Sequence, residues 1–161
     1  MQFEHFKYLV DTMFQEEETG GLKQKYHDIK VEAMHPLVLA YIGDAYFNLY
    51  VRGKLLAYEQ NKVQVLHSFG AKIVSAAWQA VAYQGIAEEL TEEEQTFFKR
   101  GRNAKSHVPK SATVAEYRAS TGFESLLGAL YLSERFDRLN DLVEKSFQII
   151  AKAMMQKTRK K

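Results

Sequence analysis

Two carboxylates in this sequence sit among neighbours that are almost all apolar. Between Leu37 and Val51 the only charge is Asp44, directly after Gly43. In FESLLGALYL, residues 123 to 132, the only charge is Glu124, and Gly128 follows four positions later. Residues four apart share a helix face, so Glu124 and Gly128 lie on one side. Glycine weakens a helix by about 1 kcal/mol relative to alanine, so one in each apolar helix predicts close backbone contact. The two helices are then expected to cross near Gly43 and Gly128, bringing Asp44 and Glu124 together.

Two acids at the edge of an apolar core repel each other and lose hydration, at an effective cost of several kcal/mol per buried ion. A divalent cation offsets that cost. Magnesium takes oxygen ligands, keeps several waters and commonly binds one or two carboxylates plus a substrate phosphate. With cations nearby to hold a phosphate backbone, the natural chemistry is metal-assisted phosphodiester hydrolysis. Structural alternatives exist for both residues. Asp44 could be satisfied by backbone amides or by Arg118, and Thr121 to Glu124 fits a capping box in which Glu124 bonds the Thr121 amide.

The elements that must position this pair are helical. Apolar residues recur at helical spacing in nearly every segment, which predicts helices at about 3–15, 36–52, 62–84, 92–101, 121–135 and 138–156. Pro36 suits the first turn of its helix, and Thr91 with Glu94 forms a capping-box pattern. Loops are expected at Gly20-Gly21, around Gly85 and from Gly101 to about Tyr117. The helix from Leu37 to Val51 is apolar almost all round, which predicts a central, buried element. The fold class is all-α, a helical bundle without repeats or an interdomain linker.

Composition narrows the function classes. A chain of 161 residues with 46% apolar content supports one compact domain. The absence of cysteine excludes disulfides, zinc-thiolate sites and cysteine nucleophiles. The five histidines show no ligand spacing, and no Gly-rich phosphate loop or nucleophile elbow is present. The N-terminus has acids among its apolar residues, which fits neither a signal peptide nor a membrane span and leads to the expectation of a cytoplasmic protein. Net charge is only +2, but its distribution is uneven. Residues 97–110 hold Lys99, Arg100, Arg102, Lys105 and Lys110 with no acid, whereas acids collect at 16–18 and 92–94. Such segregation makes a one-sided positive surface on a nearly neutral protein. The basic end, 157–161, is expected to be a disordered, solvated tail.

Taken together, these motifs resemble a known family. LAYIGDAYFNLYVR resembles the signature helix of the ribonuclease III catalytic domain, and STGFESLLGALYL resembles that family's second acidic motif. KRGRNAKS followed by a Pro-Lys turn is similar to the corresponding loop of the short subgroup that consists of the catalytic domain alone. The resemblance spans about His35 to Leu132. It implies an all-α homodimeric endoribonuclease that cuts double-stranded RNA with Mg2+, for which Mn2+ substitutes, and that matures the ends of 23S ribosomal RNA precursor. The catalytic domain would cover 33–156, after a helical extension at 1–32 and with no double-stranded-RNA-binding domain.

By position, the resemblance makes Asp44 and Glu124 the catalytic metal ligands, with Thr121 in water-mediated contact at most. Lys99, Arg100, Arg102, Asn103, Lys105, Ser106 and Lys110 become RNA contacts, and Tyr41 a dimer-interface residue close to the metal. The sequence departs from the family pattern at Leu37, Ala40 and Thr121, where acids usually stand. At most one metal is therefore expected per free subunit. Without an accessory RNA-binding domain, binding should be weak and salt-dependent, and a ribosomal protein bound to the substrate could supply selectivity. The alternatives are a catalytically idle RNA-binding or ribosome-assembly domain of the same fold, and a helical phosphohydrolase. The latter is disfavoured because its metal site normally shows histidines at helical spacing.

Overall fold

The computed structural model describes residues 2–160. Among these residues seven α-helices follow one another: α1 (Phe3–Met13), α2 (Pro36–Leu55), α3 (Val63–Ile73), α4 (Ala76–Ile86), α5 (Glu92–Asn103), α6 (Val114–Leu132) and α7 (Phe136–Arg159). Among the described residues the only extended pairing is one antiparallel bridge, Glu16 to Leu22. The all-α expectation holds. Residues 2–30, including α1, contribute no buried side chain.

The centre of the bundle is α6, which packs most extensively against α2 and α5 and also against α4. Ten of its residues are buried, and Phe123 meets Phe47 of α2 edge-on at 5.2 Å. The α2–α6 crossing is as close as the glycines predict. A Cβ on Gly43 would lie 1.8 Å from the Glu124 carbonyl oxygen, and one on Gly128 would lie 1.8 Å from that of Leu39. Each glycine lets the other helix's backbone through. A second crossing of the same kind joins α5 to α6, where a Cβ on Gly101 would meet Ser125 at 2.5 Å and one on Gly122 would meet Phe98 at 2.7 Å. Gly101 therefore lies inside a packed helix, not at the start of a loop.

Several boundaries differ from the sequence reading. The helix expected over 62–84 breaks at Val74 and Ser75, where Ser75 is extended and its carbonyl accepts from the Gln79 amide at 2.9 Å to start α4. The helix expected from 121 begins at Val114 instead. Its capping box is Thr113 with Glu116, whose reciprocal bonds measure 3.0 and 3.1 Å. Thr121 and Glu124 are thus mid-helix residues, and the capping role considered for Glu124 is excluded. The last helix runs on through Lys157 to Arg159 where a disordered tail was expected. Cations favour a helix C-terminus, and Lys157 also sits 5.8 Å over the Trp78 ring. Lys161 lies outside the described residues.

The α5–α7 side is fixed by charge. Glu94, only 2% exposed, accepts from Arg138 Nε at 2.8 Å and Nη2 at 2.9 Å while also closing the α5 capping box. The Arg138 guanidinium holds the Glu94 carboxyl below its usual range.

Candidate active site

Glu124 and Asp44 meet beside the glycine crossing. The elements explain how: the Gly43–Gly128 approach seats α2 on α6, and each acid is within one turn of its contact point. Both line a cleft of about 530 Å³ walled by α2, α4, α6 and the segment before α6. The Asp44 carboxyl is close enough to Glu124 to raise the latter's affinity for a proton. Asp44 is solvent-exposed in the single chain, where the sequence reading expected burial. Asn48, one turn on, donates to its Oδ1 at 2.9 Å. No ion pair joins Asp44 to Arg118 among the described residues, so that structural role falls away.

Glu124 is the more perturbed acid. Burial in the apolar crossing pushes its carboxyl up to about 8, with the neighbouring Asp44 adding to the rise and a Gln79 hydrogen bond opposing it. The Gln79 side chain, 1% exposed on α4, donates from Nε2 to Glu124 Oε1 at 2.9 Å and to the Val74 carbonyl at 2.9 Å. Its Oε1 is buried with no protein donor. Without a cation, the Glu124 carboxyl therefore keeps its proton at neutral pH. Two neighbouring carboxyls form an oxygen-only donor set of the kind a hard divalent ion occupies, displacing the Glu124 proton as it binds. The residues present fit such an ion.

The donor set is sparse. Among the described residues no three His, Asp or Glu side chains converge on a point. Leu37 and Ala40 line the cleft beside Asp44 and offer no ligand. Thr121 lines it too, one turn before Glu124, but donates its hydroxyl hydrogen to the Tyr117 carbonyl at 3.0 Å. Only the lone pairs of that hydroxyl remain for a water. Glu32 lies outside the cleft, exposed in a 3-10 turn before α2.

The basic residues divide into two groups. Lys99, Arg102 and Asn103 are exposed on the last turns of α5, and Lys105, Ser106 and Lys110 are exposed in the following loop. Pro109 and Ser111 flank Lys110 and line the cleft, so this loop borders the acid pair. Arg100 differs. Its guanidinium donates to the carbonyls of Glu32 at 2.9 Å and Met34 at 2.6 Å, tying the entry of α2 to α5. Tyr41 lines the cleft mouth and is 75% exposed. It belongs to an apolar stripe with Val38 and Leu49 on α2 and Leu56 just past its end, all exposed. The helix is thus buried on one face only, and its other face carries greasy residues in water.

Sequence reasoning missed Gln79 and Asn48. The first was visible as a lone amide in the apolar run SAAWQAVAY, and the second as the residue four after Asp44.

Comparison with known proteins identifies the family. The Ribonuclease III domain profile matches residues 37–135. A Mini-ribonuclease 3 of Thermoanaerobacter sp. is 46% identical over 121 residues, covering 74% of this chain and 85% of that one. A Mini-ribonuclease 3 of Enterococcus faecalis is 47% identical over 113 residues, covering 68% and 86%. A crystal structure of a protein from Fusobacterium nucleatum superposes with a TM-score of 0.66 at 30% identity, covering 73% of this chain and 94% of that one. With Gly43-Asp44 and Glu124 inside the matched span, and helices crossing as the motifs require, the chain belongs to the ribonuclease III family.

Proposed function

We propose that this protein is a magnesium-dependent endoribonuclease that cleaves double-stranded RNA over the cleft between Asp44 and Glu124. The observation that carries the reading is the meeting, beside a basic loop, of two carboxyls with no ion-pair partner among the described residues, in a chain of this family. A divalent cation bound by the pair supplies charge neutralisation for the phosphodiester and acidity to a water. The chain's own residues do the rest. Lys99, Arg102, Asn103, Lys105, Ser106 and Lys110 contact phosphates on either side of the scissile bond, which fixes register with little sequence information. Leu37 and Ala40 give the cleft an apolar wall, which lowers the local polarity around the acid pair.

The active form we propose is a homodimer. Val38, Tyr41, Leu49 and Leu56 leave an apolar stripe along α2 and just past its end that a second copy would cover about a two-fold axis, placing Tyr41 near the partner's cleft. The substrate class includes 23S ribosomal RNA precursor, with a bound ribosomal protein as a source of selectivity. Retention of Asp44 and Glu124 favours an active enzyme over an idle assembly domain, because an idle copy has no use for a costly buried acid.

Incubation with long double-stranded RNA tests the reading. Discrete shortening with Mg2+, none with EDTA and none of single-stranded RNA are expected. Intact duplex at all metal concentrations would leave only the idle-domain reading. Light scattering at micromolar protein should give about twice the 18.5 kDa chain mass.

A further inference from the structure

The mid-bundle amide Gln79 has no counterpart in the motifs that identify the site, yet it is the group that holds Glu124. Its Nε2 carries two hydrogens, and both are committed: one to the Val74 carbonyl and one to Glu124 Oε1, each at 2.9 Å. Those two bonds fix the amide's orientation. A flipped amide would set Oε1 against the Val74 carbonyl oxygen and lose that bond, so the observed orientation is favoured although its Oε1 meets no protein donor. The side chain is 1% exposed and cannot relax into solvent. It reaches Glu124 because the chain breaks between α3 and α4, which frees the Val74 carbonyl and turns α4 so that Gln79 faces α6. With Leu37 and Ala40 offering no ligand, Glu124 has no neighbouring protein ligand that could replace it if its carboxyl turned.

We infer that Gln79 is a positioning residue for the metal site, clamping Glu124 Oε1 so that the carboxylate stays turned to the cleft it shares with Asp44, where the two would hold a cation. The inference rests on the metal-site reading above. The physical reason is general: partners that hydrogen-bond a metal ligand fix its orientation, and their loss typically costs about 10–100-fold in metal affinity. A neutral amide suits this place better than a lysine or arginine. It restrains the carboxylate without neutralising the charge that the cation needs.

The test is Mn2+ binding to the intact, RNA-free protein, read from the loss of the free-ion electron paramagnetic resonance signal. Gln79→Met keeps the volume and removes both donors. Gln79→Asn keeps the amide but withdraws it by one methylene, and as a polar variant it guards against a failure of the first to fold. Both are expected to bind Mn2+ about tenfold or more weakly than wild type while remaining helical and melting cooperatively. In a Glu124→Gln background, Gln79→Met should change metal binding no further, although any stability lost at the Val74 carbonyl should persist. Wild-type affinity in a folded Gln79→Met or Gln79→Asn protein would overturn the inference and leave the metal site standing. Absence of Mn2+ binding by wild type would overturn the metal-site reading itself, and the inference with it.

Discussion

Glu124→Gln should make the metal-free protein more stable while abolishing cleavage. Burial raises the Glu124 carboxyl from its usual 4.5 to about 8, so folding takes up a proton. A carboxyl raised in the folded state contributes fully below pH 4.5, and that contribution is lost as pH climbs from there through about 8. At 1.36 kcal/mol per pH unit the ceiling on that loss is about 5 kcal/mol. Glutamine removes the ionisation and keeps an oxygen for the Gln79 Nε2 donor, so roughly half, about 2 kcal/mol, is a fair expectation after local relaxation. For a domain of this size that is about 4–8 °C in melting temperature. The assay is thermal unfolding in EDTA at fixed protein concentration, across pH 5 to 9. The gap between variant and wild type should be small at pH 5, widen towards pH 8 and then level off. A variant that melts lower than wild type at pH 8, or a gap that ignores pH, would refute the claim that the acid is held against the fold's own preference.

Other substitutions probe separate parts of the structure. Gly43→Ala or Gly128→Ala should cost about 3 kcal/mol or more, because the new methyl meets backbone carbonyls that cannot move aside; near-normal denaturant midpoints would contradict the crossing. Arg138→Met leaves Glu94 buried without its fork and should cost about 3 kcal/mol in chemical denaturation, whereas an unchanged midpoint would show the pair to be incidental. Lys105→Ala and Lys110→Ala should leave melting unchanged and each lower the slope of log affinity against log salt by about 1, measured by RNA titration at several salt concentrations. Arg100→Ala should do the reverse, lowering the melting temperature through the lost Glu32 and Met34 carbonyl bonds with little change in salt slope.

The acid pair and its crossing were legible in the sequence because they rest on short-range rules. A glycine in an apolar helix has few uses besides close approach, and a single carboxylate in such a helix stands out. Gly101 and Gly122 carry the same signal, yet Gly101 sits among so many cations and polar residues that the run reads as a loop. The packing of Gly101 on Ser125 and of Phe98 on Gly122 holds the run as helix against α6. The sequence reading starts α6 one capping box too late, at Thr121–Glu124, and passes over Thr113–Glu116, which has the same pattern and opens the helix. Tertiary contact favours the earlier start, since starting at Thr121 would remove two turns that carry Tyr117 and Ser120 to the cleft. The α3–α4 break was hidden for a similar reason: apolar residues continue through Val74 without a glycine or proline to mark it. Exposure of Asp44 and of the α2 stripe was beyond periodicity, because a helix apolar all round looks the same whether its second face meets its own core or another molecule.

The most direct test of the metal site is calorimetric titration of Mg2+ and Mn2+ into the RNA-free protein, wild type beside Asp44→Asn. With only Asp44 and Glu124 to donate charge, at most one ion should bind per subunit, weakly for Mg2+ and more tightly for Mn2+, and Asp44→Asn should remove the heat. Two tight Mg2+ ions per subunit, or undiminished binding by a folded Asp44→Asn protein, would contradict a site built on these two carboxylates.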